Sequence, residues 1–406
     1  MATDGARFSG FKPFYQFACP TRVIAGTDLI ESTGFEFAKE GAERPLMVTD
    51  EVIRETGLIE AVSAGVADGG LEVAGVFDSV PQDSDTEVVA SCAEAARAAG
   101  ADSFLAVGGG SVMDTAKAAD VLFTHGGTVR EWEGLLTLPR ERDGFGRPLP
   151  LAPLGAIPTT AGTGSEASFA AVVKDRSEGL KVEIGDIALY PRLAILDPAA
   201  TATLPPRIAA ATGMDALTHA IEGYVSSEWN PHADAFALQA IRMIGDNLER
   251  AVADTSADEA RGNMLIAASL AIQPSGSGAI GATHSMSHPC GGHYGVPHGV
   301  ANAINLPWVI EYNAAGGQEI AERYRVICDV MDVEAPGSGT DVGRALADAV
   351  RALTGRLGLP QRLSEVGVPE DGIPRLVDGA MGDACTLVNA REPAAEDFEE
   401  LFRKAL

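Results

Sequence analysis

Residues 281–299, G-A-T-H-S-M-S-H-P-C-G-G-H-Y-G-V-P-H-G, hold His284, His288, His293 and His298, four of the 7 histidines in 406 residues. Neutral imidazole is the commonest metal ligand among side chains. His284 and His288 stand four apart, so a helix would point both from one face. Pro289 is expected to stop that helix, and the run from Gly291-Gly292 to Gly295-Val296-Pro297 to turn the chain and return His298 to the pair. Upstream, Asp215 and His219 repeat the i, i+4 spacing in G-M-D-A-L-T-H-A-I-E-G. One carboxylate with two or three imidazoles from two helices makes a divalent transition-metal site with open positions. The competing reading is ordinary helix-end and core histidines, which needs two such pairs to arise without purpose.

A second kind of chemistry resides in glycine. An apolar strand at 103–107 runs into Gly108-Gly109-Gly110-Ser111, and a helix at 112–123 follows. Glycines there let a backbone approach a phosphate, and the helix N-terminus offers free N–H groups with partial positive charge. Ser111 and Asp114 also form an S-x-x-D capping pattern, and Asp114 is expected to cap, with cofactor contact left open. A further strand at 151–157 empties into Thr159, Thr160 and Thr163, hydroxyls at a strand end where open α/β sheets take ligands. The alternative for Thr163 is a T-x-x-E helix cap with Glu166. Two such loops on one sheet edge point to a dinucleotide.

Those loops need a scaffold. Short apolar runs at 45–50, 71–77 and 103–107 alternate with helical periodicity at 51–67 and 87–99, which implies a parallel sheet with helices on its faces. More strand-like runs lie at 170–173, 181–184 and 193–196, and 139–148 reads as a polar loop. Beyond Pro205-Pro206 the pattern becomes helical, at 207–226, 231–255, 258–272, 298–314 and 340–357. The aromatics Phe8, Phe11, Phe14, Tyr15 and Phe17 form an arm or edge strand. The expected organisation is an α/β domain at 1–200 with a parallel, Rossmann-like sheet, then an all-α domain at 201–406, with the metal site in the cleft between them.

Composition narrows the function. A net charge of −27 argues against nucleic acid and anionic membranes as partners. No apolar run reaches membrane-spanning length and the start lacks the core of a signal peptide, so the chain reads as cytoplasmic. Cys19, Cys92, Cys290, Cys328 and Cys385 are scattered, as free thiols in a reducing compartment would be. The acidic, lysine-poor surface suits either salt adaptation or plain solubility.

The motifs G-G-G-S-V-M-D-T-A-K (108–117), I-P-T-T-A-G-T-G-S-E (157–166), G-M-D-A-L-T-H-A-I-E (213–222) and H-S-M-S-H-P-C-G-G-H-Y-G-V-P-H-G (284–299) together resemble the iron-containing, group III alcohol dehydrogenases. The resemblance covers nearly the whole chain. It implies one divalent metal, Fe2+ ahead of Zn2+, at Asp215, His219, His284 and His298. It places the pyrophosphate at the glycine loop, the threonine loop along the cofactor, Lys181 as a further cofactor contact, and Cys385 in the substrate pocket. Asp50, closing an early strand, would bind the adenosine ribose and favour NAD over NADP; otherwise it caps the helix that follows. His288 would relay the proton, or else only orient a ligand. His293 receives no role, and small residues at 274–278 loosen any inference about substrate size.

The activity so implied is NAD-dependent hydride transfer between a small alcohol and its aldehyde or ketone, in a homo-oligomer. A hydroxyacid dehydrogenase or a transhydrogenase on the same fold is the alternative. A lyase like dehydroquinate synthase would need Lys and Arg beside the histidines, and none cluster there.

Overall fold

A computed structural model describes residues 14–135, 150–178, 180–274 and 280–406. The loop expected at 139–148, Phe8, Phe11 and residues 275–278 lie outside these. Cys19–Leu204 form one compact unit; Pro205–Leu406, with the described residues up to Ala18, form another.

In the first unit the chain runs β1 (Arg22–Ala25), α1 (Thr33–Ala38), β2 (Pro45–Val48), α2 (Glu51–Glu55), α3 (Leu58–Asp68) and β3 (Gly75–Phe77). It continues with α4 (Thr86–Ala99), β4 (Ser103–Gly108), α5 (Gly110–His125), β5 (Gly134–Leu135) and β6 (Leu154–Pro158). Strands β7 (Ala170–Asp175), β8 (Leu180–Gly185) and β9 (Leu193–Leu196) follow. Six strands pair in the order β1-β9-β6-β4-β2-β3, every pair parallel. Helices cover both faces, so the strands read as unbroken apolar runs. Alternate residues of β4 serve the two sides: Phe104 and Ala106 join Val89 and Met113 in one core, Leu105 and Val107 join Phe37 and Val62 in the other.

One expectation needs correction here, and the sheet pairings add what the runs alone left open. The helix expected at 51–67 is two helices, because Gly57 takes φ +83 between them, a left-handed turn that glycine adopts without steric cost. The runs at 170–173 and 181–184 do not extend the main sheet; β7 and β8 pair antiparallel in a separate sheet ordered β5-β8-β7. An edge strand, β1, follows the aromatic arm, registering Arg22 to Ala25 against Leu193 to Leu196.

The second unit is helical throughout its described residues: α6 (Pro206–Val225), α7 (Pro231–Ala253), α8 (Asp258–Ile272), α9 (Ala282–Tyr294) and α10 (His298–Ala314). After these come α11 (Gln318–Val330), α12 (Thr340–Arg356), α13 (Ile373–Met381) and α14 (Ala395–Ala405). Phe17 stacks on Phe236 and His232 of α7, at 5.3 and 5.5 Å between ring centroids. Pro289 does not stop α9, which continues to Tyr294. Proline forfeits one helical hydrogen bond, but it packs against α13 where Gly379 leaves room; a Cβ there would sit 2.7 Å from Pro289 Cβ. The chain instead turns at Gly295 (φ +66), and Val296-Pro297 lead directly into His298. No helix among the described residues is long and apolar enough to cross a membrane.

Candidate active site

Asp215 and His219 lie on successive turns of α6, His284 near the start of α9 and His298 at the first position of α10. Glycine brings these helices together: a Cβ on Gly299 would stand 2.1 Å from the Ala211 carbonyl oxygen, so the start of α10 lies directly on α6. Asp215, His284 and His298 each offer a ligand atom within 4.8 Å of the others. Asp215 Oδ1 stands 3.4 Å from His298 Nε2 and 3.9 Å from His284 Nε2. Donors sharing one ion at about 2.1 Å lie roughly 3–3.4 Å apart, so the trio needs little adjustment to do so. His219 stands outside that trio, its ring stacked on that of His284 at 4.6 Å. Its Nδ1 is buried and has no hydrogen-bond partner among the described residues. Burial also lowers its pKa to about 4, which keeps the ring neutral as a ligand must be.

Residues that the spacing did not single out hold this arrangement. Glu222, one turn beyond His219, accepts from His284 Nδ1 at 2.6 Å and from the Gly281 and Thr283 N–H groups at 2.8 and 2.6 Å. It therefore caps α9 from a neighbouring helix and fixes the His284 tautomer, leaving Nε2 with its lone pair toward Asp215. Burial opposes charge on His284, but Glu222, together with the Asp215 and Asp383 carboxylates, more than compensates and holds its pKa above the ordinary value. Asn302, one turn after His298, donates from Nδ2 to Asp215 Oδ1 at 2.7 Å. The i+3 and i+4 spacings of these two residues from His219 and His298 were the available signals.

His288 stacks on His298 at 5.3 Å and donates from Nδ1 to Asp383 Oδ2 at 2.6 Å. Burial would raise the Asp383 carboxyl, but His288 and Cys385 hold it well below the usual carboxylate range. Cys385 is thereby placed with His288. A carboxylate, two or three imidazoles and a buried imidazole nitrogen lacking a partner fit a divalent transition metal.

In the other unit the cofactor candidates gather at the C-terminal ends of β4 and β6. No side chain caps α5, whose N-cap is Gly109. A Cβ on Gly110 would lie 2.8 Å from Thr163 Cγ2, and one on Gly109 3.4 Å from Thr160 Oγ1, so the glycine and threonine loops touch. The Thr159 N–H donates to the Gly108 carbonyl at 3.0 Å. This leaves an uncapped helix N-terminus facing hydroxyls, a cradle for a phosphate.

Asp114 does not cap α5, and Thr163 Oγ1 accepts from the Ser165 N–H at 3.3 Å ahead of a turn whose N-cap is Gly164. Asp114 accepts from Ser165 Oγ at 2.7 Å and the Val172 N–H at 3.2 Å, and Ser111 Oγ accepts from the Asp83 N–H. Glu166 is buried in a 3-10 turn, Ser165–Ala167, that begins at Gly164 (φ +63). Lys181 is exposed on β8, near enough to Asp114 for its charge to act there. Asp50 does cap α2, accepting from the Ile53 N–H at 2.8 Å through Oδ1; Oδ2 takes no hydrogen bond from the described residues. Lys117, unassigned from sequence, is fully buried, with Nζ donating to Ser165 Oγ, Ser168 Oγ and the Ser168 and Ala170 carbonyls at 2.9–3.1 Å.

Two family models match: iron-containing alcohol dehydrogenase over residues 20–198, and the C-terminal model of the same family over 209–406. The chain is 33% identical over 392 residues to the NAD-dependent methanol dehydrogenase of Bacillus methanolicus, covering 96% of this chain and 99% of that one. It is 36% identical to a lactaldehyde reductase of Escherichia coli over 374 residues, 91% and 94% of the two chains. A crystal structure of a 1,3-propanediol oxidoreductase superposes with TM-score 0.90 at 33% identity, covering 97% of this chain and 100% of that one. The chain belongs to the iron-containing alcohol dehydrogenase family: it is an oxidoreductase of alcohols and their carbonyl products that works with NAD and a divalent metal.

Proposed function

We propose that this enzyme interconverts a short-chain alcohol and its aldehyde, prefers NAD to NADP, and carries Fe2+ at Asp215, His219, His284 and His298. The observation that carries the reading is the convergence of Asp215, His284 and His298 from three helices. Small substrates in the names of relatives, methanol, 1,3-propanediol and lactaldehyde, support the size class. Both Fe2+ and Zn2+ accept these donors, and the family's description favours iron.

A divalent ion held by these four residues would supply Lewis acidity to the substrate oxygen, and a bound nicotinamide would supply the hydride chemistry. The chain's own residues supply the rest. Glu222 keeps the His284 lone pair directed at the ion. Asp383 holds His288 by Nδ1, so that Nε2 can take the hydroxyl proton from an alcohol, or return it to the alkoxide oxygen formed when an aldehyde is reduced. Cys385 lines the substrate side. Gly108, Gly109, Gly110 and Ser111 offer backbone N–H groups to the pyrophosphate, with Thr159, Thr160 and Thr163 beside it. Asp114 anchors the threonine loop through Ser165, and Lys181 adds a cation. Asp50 keeps Oδ2 for a ribose hydroxyl, a position where a 2′-phosphate would meet like charge. A homo-oligomeric assembly is supported by the edge strand β1 and by Phe14, 80% exposed. Free cysteines suit a cytoplasmic setting.

His298→Ala tests the reading. The variant is expected to lose bound metal and nearly all activity while binding NAD as the parent does. Metal analysis, an alcohol and aldehyde panel, and NAD titration measure the three. Full activity of a metal-free preparation would overturn the assignment.

A further inference from the structure

His288, Asp383 and Cys385 bring an imidazole nitrogen, a carboxylate oxygen and a thiol sulfur within 4.8 Å of one another. None of the three belongs to the set Asp215, His219, His284 and His298. Asp383 opens a 3-10 turn, Ala384–Val388, where its Oδ1 accepts the Cys385 N–H at 2.9 Å. The other oxygen of the same carboxylate, Oδ2, accepts from His288 Nδ1 at 2.6 Å. One carboxylate thus stands between the other two residues, and a proton joins it to His288 where a cation would. All three residues are partly exposed, which gives an ion a way in.

Around a four-coordinate ion with metal–nitrogen bonds of about 2.0–2.1 Å and a metal–sulfur bond of about 2.3 Å, donors stand roughly 3.3–3.7 Å apart. Side-chain adjustments of about an ångström therefore suffice. A thiolate in the donor set makes this site softer than the neighbouring one, which has only oxygen and nitrogen, and selects Zn2+ or Cd2+ over Fe2+. We propose that His288, Asp383 and Cys385 form a second site, for a soft divalent cation, whose occupation inhibits the enzyme by withdrawing the His288 imidazole. The inhibition rests on the proton-relay reading above; the binding does not.

Enzyme already carrying one equivalent of Fe2+ is titrated with Cd2+. Uptake is followed by equilibrium dialysis and by the ultraviolet thiolate-to-cadmium charge-transfer band. The wild type is expected to bind one further equivalent, develop the band and lose most of its activity in step. Cys385→Ser should lose the band and the added equivalent while keeping its iron and its melting temperature, and Asp383→Asn should bind the second ion more weakly. Asp215→Asn separates the two sites: it should lose iron and retain the cadmium band, whatever becomes of the reading of the first site. Absence of a second equivalent, a band that survives in Cys385→Ser, or a second equivalent bound without loss of activity would each overturn the proposal.

Discussion

Glu222 concentrates much of the site's order in one carboxylate, since its three acceptor contacts cap α9 and fix the His284 tautomer together. Glu222→Gln presents an amide N–H₂ to groups that are themselves donors. The expected result is a loss of about 10–100-fold in metal affinity, read by competition with a chelator; unchanged affinity would mean that His284 orients itself. Its i+3 spacing from His219 was the one signal in the sequence, and a weak one, because an acid on a helix is ordinarily solvated and only packing shows it buried. Asp120 is a different buried acid, 1% exposed, whose Oδ1 accepts from Thr124 Oγ1 and the Ala152 N–H. Burial raises its pKa to about 7, against the opposing pull of those two bonds and Arg192. The folded protein therefore holds this proton more tightly than the unfolded chain. The resulting stability is complete below about pH 4 and is lost as pH rises through about 7. Asp120→Asn keeps the Oδ1 acceptor and abolishes the titration. Relative to wild type, the variant should gain roughly 2–4 kcal/mol between pH 4 and pH 8, measured by denaturant unfolding at both values. A constant difference would show that Asp120 is not the group titrating.

At the scale of elements, the proposed metal site depends on how closely α10 approaches α6. A methyl group on Gly299 would overlap the Ala211 carbonyl, so Gly299→Ala must push the two helices apart at the residue next to His298. The expected cost is about 1–3 kcal/mol of stability, as for other overpacked positions, together with weaker metal retention, because Asp215 and His298 separate. Thermal melting and metal analysis check both; a variant with normal metal content would show that the ligands are positioned by something other than this contact. Helices such as α8 and α10 were legible to the residue, since their apolar periodicity and bounding residues agree. Pro289 misled because the lost hydrogen bond is a local penalty, and the packing of α13 over it is not local. The β5-β8-β7 sheet was hidden for a similar reason: strand-like composition marks residues 170–173 and 181–184, but which strand each joins depends on pairings distant in sequence. Lys117 belongs with these cases. It ties α5 to the turn at Ser165–Ser168 and to β7, and nothing in D-T-A-K says that the lysine points inward.

For the molecule as a whole, the sequence disclosed the order of an α/β part followed by a helical one, because short apolar runs alternating with helical segments give way to helical segments alone. It did not disclose that Phe17 packs with the helical unit, since an aromatic arm matches either partner in composition. Charge is the other property written at this scale: 57 acidic residues face 30 basic ones. Arg22, Arg130, Arg351 and Arg356 each pair with neighbouring acids on partly exposed surface. Pairs of this kind contribute about 0–1 kcal/mol apiece, and even complete pairing would leave a net −27. Mutual repulsion of that excess opposes the compact state. Raising NaCl from about 0.01 M to about 1 M shortens the screening length from roughly 30 Å to roughly 3 Å. Repulsion between distant like charges is then removed, while contact pairs at 2.7–2.8 Å weaken less. The metal-loaded enzyme is therefore expected to melt at higher temperature in NaCl, with most of the gain complete before the highest concentration, as screening saturates. Chloride interacts weakly with protein surfaces, and a sulfate series run in parallel separates screening from preferential exclusion, which keeps growing with concentration. A melting temperature that fell steadily with NaCl would mean that the surface ion pairs outweigh the excess charge, and the acidic composition would then have to be explained by solubility alone.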